Sequence, residues 1–204
     1  MLCVRSEIRN SFPARFLWFG IFCASFGSGF AGRVQAADWP MWRHDAARTG
    51  ATDAALPKEL HLQWTMHLPQ PMPAWPASQP KLNFDRHYEP VVAGQRLLVS
   101  STVSESVAAF NTRTGKREWV FLADGPVRFA PAIAGERVYV TSDDGYLHCL
   151  ELATGKKLWS VLGGPSRKQV IGNDRLISMW PCRGGVVVKD KVAYFAAGIW
   201  PSMG

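Results

Sequence analysis

Three basic side chains recur at one register. His87 lies seven residues before Gly94, Arg128 lies seven before Gly135, and Arg183 falls in the same region of a third, similar stretch. Brought together, they would form a positive patch for an acidic ligand or an acidic partner surface. The alternative is that each pairs with a neighbouring carboxylate. Arg175 and Trp180, in Arg175-Leu176-Ile177-Ser178-Met179-Trp180-Pro181, add a cation and a large ring to the same candidate face. Other groups carry weaker signals. Asp143-Asp144-Gly145 offers two carboxylates for calcium, yet it reads first as a hairpin turn. His44 and Asp45 adjoin without a marked Ser or Cys nucleophile. His148 alternates along an apolar run and reads as a packed or edge histidine. Cys149 reads as a buried thiol rather than half of a bridge to Cys182. There is no C-x-x-C and no Cys/His cluster with zinc spacing. No catalytic or metal-ligating set emerges.

The elements that must position these groups follow from composition and repetition. Hydrophobic residues at 47 % with charged residues at 19 % exclude a disordered chain or a coiled coil. Nine Trp, 18 Gly and 14 Pro indicate many short strands joined by tight turns. Thr114-Gly115-Lys116 with Trp119 recurs forty residues later as Thr154-Gly155-Lys156 with Trp159. Pro90 to Arg96 matches Pro131 to Arg137, and a third copy starts at Gly185. A period near 40 with four short strands per unit is the signature of a β-propeller blade. Strands are expected at 89–93, 96–101, 106–111 and 117–122, then at 130–134, 137–141, 146–151 and 157–162. The fold class is therefore all-β, a partial β-propeller with two full four-stranded blades and half of a third, its ring not closed. A large ring on each outer strand would cover the neighbouring blade, burying roughly 150–250 Å². Trp64, on 60–66, is expected on a further outer strand ahead of the first blade. The chain reads as an N-terminal piece of a longer propeller.

The segment from Tyr139 to Trp159 resembles the PQQ-like, or tryptophan-docking, propeller repeat. That family's turn runs A-x-D-x-x-T-G-x-x-x-W. Ala109, Asn111, Thr114, Gly115 and Trp119 fill it in the first copy; Cys149, Glu151, Thr154, Gly155 and Trp159 fill it in the second. The resemblance implies that Trp119, Trp159, Gly115, Gly155, Thr114 and Thr154 serve structural docking. Its members include quinoprotein alcohol dehydrogenases and propeller lipoproteins that assist outer-membrane protein assembly. For a dehydrogenase it would imply pyrroloquinoline quinone (PQQ) under a vicinal disulfide, with calcium held by acidic and amide side chains. No adjacent Cys-Cys pair occurs in the sequence.

Basic residues Arg5, Arg9 and Arg15 precede an uncharged run, Phe16 to Gly32, and then Val34-Gln35-Ala36. This order is that of a signal peptide cleaved after Ala36. The organisation expected is a leader at 1–36, an N-terminal belt with the Trp64 strand and a Pro-rich loop at 37–88, and propeller repeats at 89–204. Trp39 and Trp42 belong to the belt rather than to a cofactor box. Removing 1–36 takes away four Arg and one Glu, lowering the net charge from +7 to +4. That is too mild to suggest a nucleic-acid partner, and no stable membrane span remains. Two long connections, 69–88 and 163–184, should rise from one face, while 123–129 is short; long ordered loops often carry function. The reading favoured is a periplasmic or secreted binding or scaffold protein without catalysis or cofactor, meeting a protein or polymer partner on that loop face. The alternative is the N-terminal piece of a PQQ-dependent dehydrogenase.

Overall fold

Short β-branched and aromatic runs, bounded by turn residues, set the strands. The computed structural model describes residues 2–7, 38–79, 84–172 and 174–198, and these contain no helix. β1 (Leu2–Glu7) comes first. Blade 1 is an antiparallel sheet of β2 (Val91–Ala93), β3 (Arg96–Ser101), β4 (Ser106–Asn111) and β5 (Arg117–Leu122), in that order. Blade 2 repeats it with β6 (Ala132–Ala134), β7 (Arg137–Thr141), β8 (Tyr146–Glu151) and β9 (Lys157–Leu162). A hairpin follows, β10 (Gln169–Gly172) with β11 (Arg175–Ser178). The third copy contributes β12 (Val187–Lys189) and β13 (Val192–Ala197), and β1 pairs with the far edge of β13. The basic start expected in the leader therefore reaches β1; the rest of that leader, 8–36, lies outside the described residues.

The outer six strands of the two blades have the expected bounds. The innermost strands start two residues late, at Val91 and Ala132, because Pro90 and Pro131 have no N–H for a ladder. The strand expected at 60–66 does not form. Trp64 nevertheless docks on blade 1 as a side chain on an extended segment. Its indole Nε1 donates to Thr112 O at 2.8 Å. A Cβ on Gly115 would stand 2.8 Å from Trp64 Cδ2, and Gly115 also has φ +67°. Only glycine suits both demands.

Two apolar seams hold the blades. Val91, Leu98, Val107, Trp119, Ile133, Val138 and Leu150 meet between blades 1 and 2. Ala132, Tyr139, Leu147, Cys149, Cys182, Val186 and Phe195 meet between blade 2 and the third copy. The segment after residue 37 runs along the innermost strands. Trp39 exchanges backbone hydrogen bonds with Val92 at 2.8 and 2.9 Å, Ile133 N donates to Pro40 O at 2.7 Å, and Met41 is buried in the second seam. Arg48 reaches the carbonyls of Gly185 and Val186. One strap thus touches the inner strand or its approach in all three copies.

Candidate functional site

Each sheet has two ends. The upper end carries the 101–106 and 141–146 turns and the connections between blades. The lower end carries the turns after β2, β4, β6, β8 and β12. The two long connections do rise from the same upper end, and they interlock there. Met72 N donates to Thr102 Oγ1 at 2.7 Å, and Arg175 of β11 donates to Glu105 Oε1 at 2.6 Å and contacts Met72 Sδ at 3.4 Å. The β10–β11 hairpin is absent from the sequence-based expectation. Its turn signal was present in Gly172-Asn173-Asp174, between two apolar pairs.

Arg128 and Arg183 converge on one carboxylate. Arg128 Nε donates to Asp143 Oδ2 at 2.7 Å, and its Nη1 donates to Asp85 Oδ2 at 2.5 Å and to Met72 O at 2.9 Å. Arg183 approaches the same Asp143 from the other side, Nε to Oδ1 at 3.0 Å and Nη2 to Oδ2 at 2.9 Å. The side chains of Arg128, Asp85 and Asp143 are 3 % exposed or less. Two guanidiniums thus balance two carboxylates, which is what buried charge requires. These two arginines are fixed cross-braces, the paired arrangement that stood as the alternative to an open positive patch. Asp85 and Asp143 were not singled out as their partners, because Asp85 comes from the connection before blade 1 and Asp143 from the β7–β8 turn, and only the folded chain brings them near. His87 stands apart from this cluster and is exposed.

His87 instead lines an open groove of about 570 Å³ with Gln70, Pro71, Pro73, Trp75, Pro76, Ala77 and Arg86. Arg183 lies over the Trp75 ring, 5.8 Å from its centroid, and ties the groove wall to the ion cluster. Trp180 is half-buried and packs into the second seam, with its backbone N–H donating to Ser178 Oγ at 3.1 Å. Of the loop-face candidates, then, His87 borders the groove, Arg175 and Arg183 brace its surroundings, and Trp180 is a packing residue. Trp75 and Arg86 are groove residues the sequence did not mark.

The docking residues behave differently. Trp119 is buried, its Nε1 donates to Leu152 O at 3.0 Å, and its ring covers Gly155, where φ is +71°. Thr114 and Thr154 hold their turns by accepting from Lys116 N and Lys156 N. Trp159 is only half-buried and tilts against Tyr139 at 6.0 Å. Asp143 and Asp144 serve ion pairs and turn hydrogen bonds: Asp144 accepts from His148 Nε2 at 2.9 Å, and His148 Nδ1 meets Ser160 Oγ at 3.0 Å. This Asp–His–Ser chain is walled in by Phe121 and Tyr146, and His148 is 5 % exposed. It clips turn to outer strand. Burial pushes the Cys149 thiol up to about 11 and the Cys182 thiol higher still, so neither is a ready nucleophile. Burial also raises the Glu89 carboxyl. Among the described residues no group of three His, Cys, Asp or Glu could hold a metal.

The family model described as outer membrane protein assembly factor BamB matches residues 33–194. The chain belongs to this family. The BamB-type, PQQ-like repeat thus accounts for the tryptophan docking described above. Among solved structures, a quinohemoprotein alcohol dehydrogenase from Comamonas testosteroni aligns at 24 % identity and TM-score 0.50, covering 76 % of this chain and 24 % of that one. BamB from Moraxella catarrhalis aligns at 18 % identity and TM-score 0.35, covering 51 % and 40 %. The first supports the fold; the chain spans well under two thirds of either structure. No curated protein matches. Among the described residues no helix is long and apolar enough to cross a membrane.

Proposed function

We propose that this BamB-type chain is an exported, periplasmic or secreted binding and scaffold propeller, meeting a protein or polymer partner on its upper face. The observation that carries this reading is the groove at Trp75, Arg86 and His87, built on a buried cluster of two arginines and two aspartates. Such a wall is rigid, so a partner would meet a preformed surface. Trp75 offers an aromatic face between prolines, Arg86 is an exposed cation and His87 an exposed imidazole, a combination suited to an acidic segment. The proposal includes no cofactor and no catalytic step. The family's printed description as an assembly factor agrees with a protein partner.

A photo-crosslinking residue at Arg86 in the exported full-length protein should trap one discrete adduct. Trp75→Ala should abolish it, and the same probe at Ala153 on the lower end should not give it. No adduct from Arg86, or identical adducts from both positions, would reject the proposal. The alternative, a piece of a PQQ-dependent dehydrogenase, draws on shared fold alone. Dye reduction with alcohols after adding the quinone and calcium would favour it.

A further inference from the structure

Unpaired positive charge gathers on the lower end. Antiparallel pairing sets Arg96 opposite Asn111 and Phe110 opposite Arg117 in blade 1, and Arg137 opposite Glu151 and Leu150 opposite Lys157 in blade 2. These strand ends and their turns make one surface. Across it stand Arg113, Lys116, Arg117, Lys156, Lys157 and Lys191, all exposed and none in an ion pair among the described residues. Three acids of this end are already engaged: Glu118 holds Arg96 at 3.0 Å, Glu151 accepts from Thr154 at 2.5 Å, and Asp38 accepts from Gly94 N at 2.8 Å. Glu136 and Asp190 are the exposed acids left to oppose the cations. At the upper end Arg128, Arg175 and Arg183 are each bound to a carboxylate, while Arg86, Arg167 and Lys168 stand exposed.

The lower cations also stand on fixed backbone. Trp64 and Trp119 lock the two outer turns through Thr112 O and Leu152 O, and Asn111 Oδ1 accepts from Arg113 N and Thr114 N. Within these two turns no aromatic or large aliphatic side chain is exposed, while Leu158 beside Lys157 is 46 % exposed. A folded acidic partner would need such anchors for a stable interface. Anionic lipids would not, because they diffuse laterally to meet charges wherever these lie. We propose that the lower face docks on a membrane leaflet bearing anionic headgroups. Binding is then peripheral and salt-sensitive, with about fivefold affinity per cation.

The test is sedimentation of the full chain with phosphatidylcholine vesicles, with and without phosphatidylglycerol, at low and high salt. Binding should require phosphatidylglycerol and fall with salt. Lys156→Glu with Lys157→Glu should weaken it at least 25-fold, about fivefold per site, with melting unchanged. Arg167→Glu with Lys168→Glu, the same charge change on the upper connection, should leave it largely intact. No binding to anionic vesicles, or equal loss in both double variants, would overturn the proposal. Tighter binding to soluble polyglutamate than to vesicles at matched charge would overturn it in favour of an acidic protein.

Discussion

The two seams come from one repeat, yet they are closed by different means. Between blades 1 and 2 an indole does the closing: Trp119 lies over Gly155 and bonds to Leu152 O. Between blade 2 and the third copy, Trp159 is half-buried and tilts against Tyr139. Other parts fill in. Met41 of the N-terminal strap and Trp180 of the long connection pack there instead. The docking tryptophan is thus half of a device whose other half is the glycine turn of the next blade.

The sharpest way to test this is to break the one group both seams share. Asp143 receives Arg128 from the connection into blade 2 and Arg183 from the connection into the third copy. Asp143→Ala would leave two guanidiniums in a dry site with half their partners gone. The expected loss is about 5 kcal/mol, the upper end for breaking a buried pair, read as the shift in a urea midpoint at constant slope. Asp143→Asn should lose less, since an amide oxygen still accepts. A loss under about 2 kcal/mol would mean that the apolar seams hold the blades without the ionic brace.

What the sequence revealed divides along the same line. β3, β4, β5, β7, β8 and β9 were legible to the residue, because Gly115, Gly145 and Gly155 mark turns by local rules. The role of Trp119 was legible because it repeats. Partnerships were not. Nothing near Arg128 in sequence identifies Asp85, 43 residues away, or Asp143, 15 away, as its acceptor. The groove at Trp75 was equally hidden, since a proline-rich loop has no period and its shape comes from what it leans on. The absent strand at Trp64 has a related cause: a strand needs a partner edge, and a side chain can dock without one.

Next in size is the contrast between the two tryptophans. Trp119→Ala removes a buried ring and an indole hydrogen bond, and should cost about 3–4 kcal/mol. Trp159→Ala removes a half-exposed ring packed on Tyr139, and should cost about 1–2 kcal/mol. Both are measured by chemical denaturation. Equal losses would show that Trp159 is docked as firmly as Trp119 and would erase the difference between the seams.

The smallest effect is one of pH, and it belongs to the second seam alone. Cys149, Cys182 and Tyr139 all lie in that cluster and none in the first. Burial holds the Cys149 thiol near 11 against an ordinary 9.0, raises Cys182 further, and moves the Tyr139 phenol to about 12 from 10.0. Each folded value exceeds the unfolded one. The stability tied to these groups is therefore complete below pH 9 and declines as the unfolded chain ionises first, through pH 11 for Cys149. By pH 10 the expected loss is about 1 kcal/mol for each thiol. The double variant Cys149→Ala and Cys182→Ala should flatten stability between pH 9 and 10, even though its stability at neutral pH falls. A slope that stays the same would mean the thiols open to water in the folded state, and that the second seam is looser than its buried residues imply.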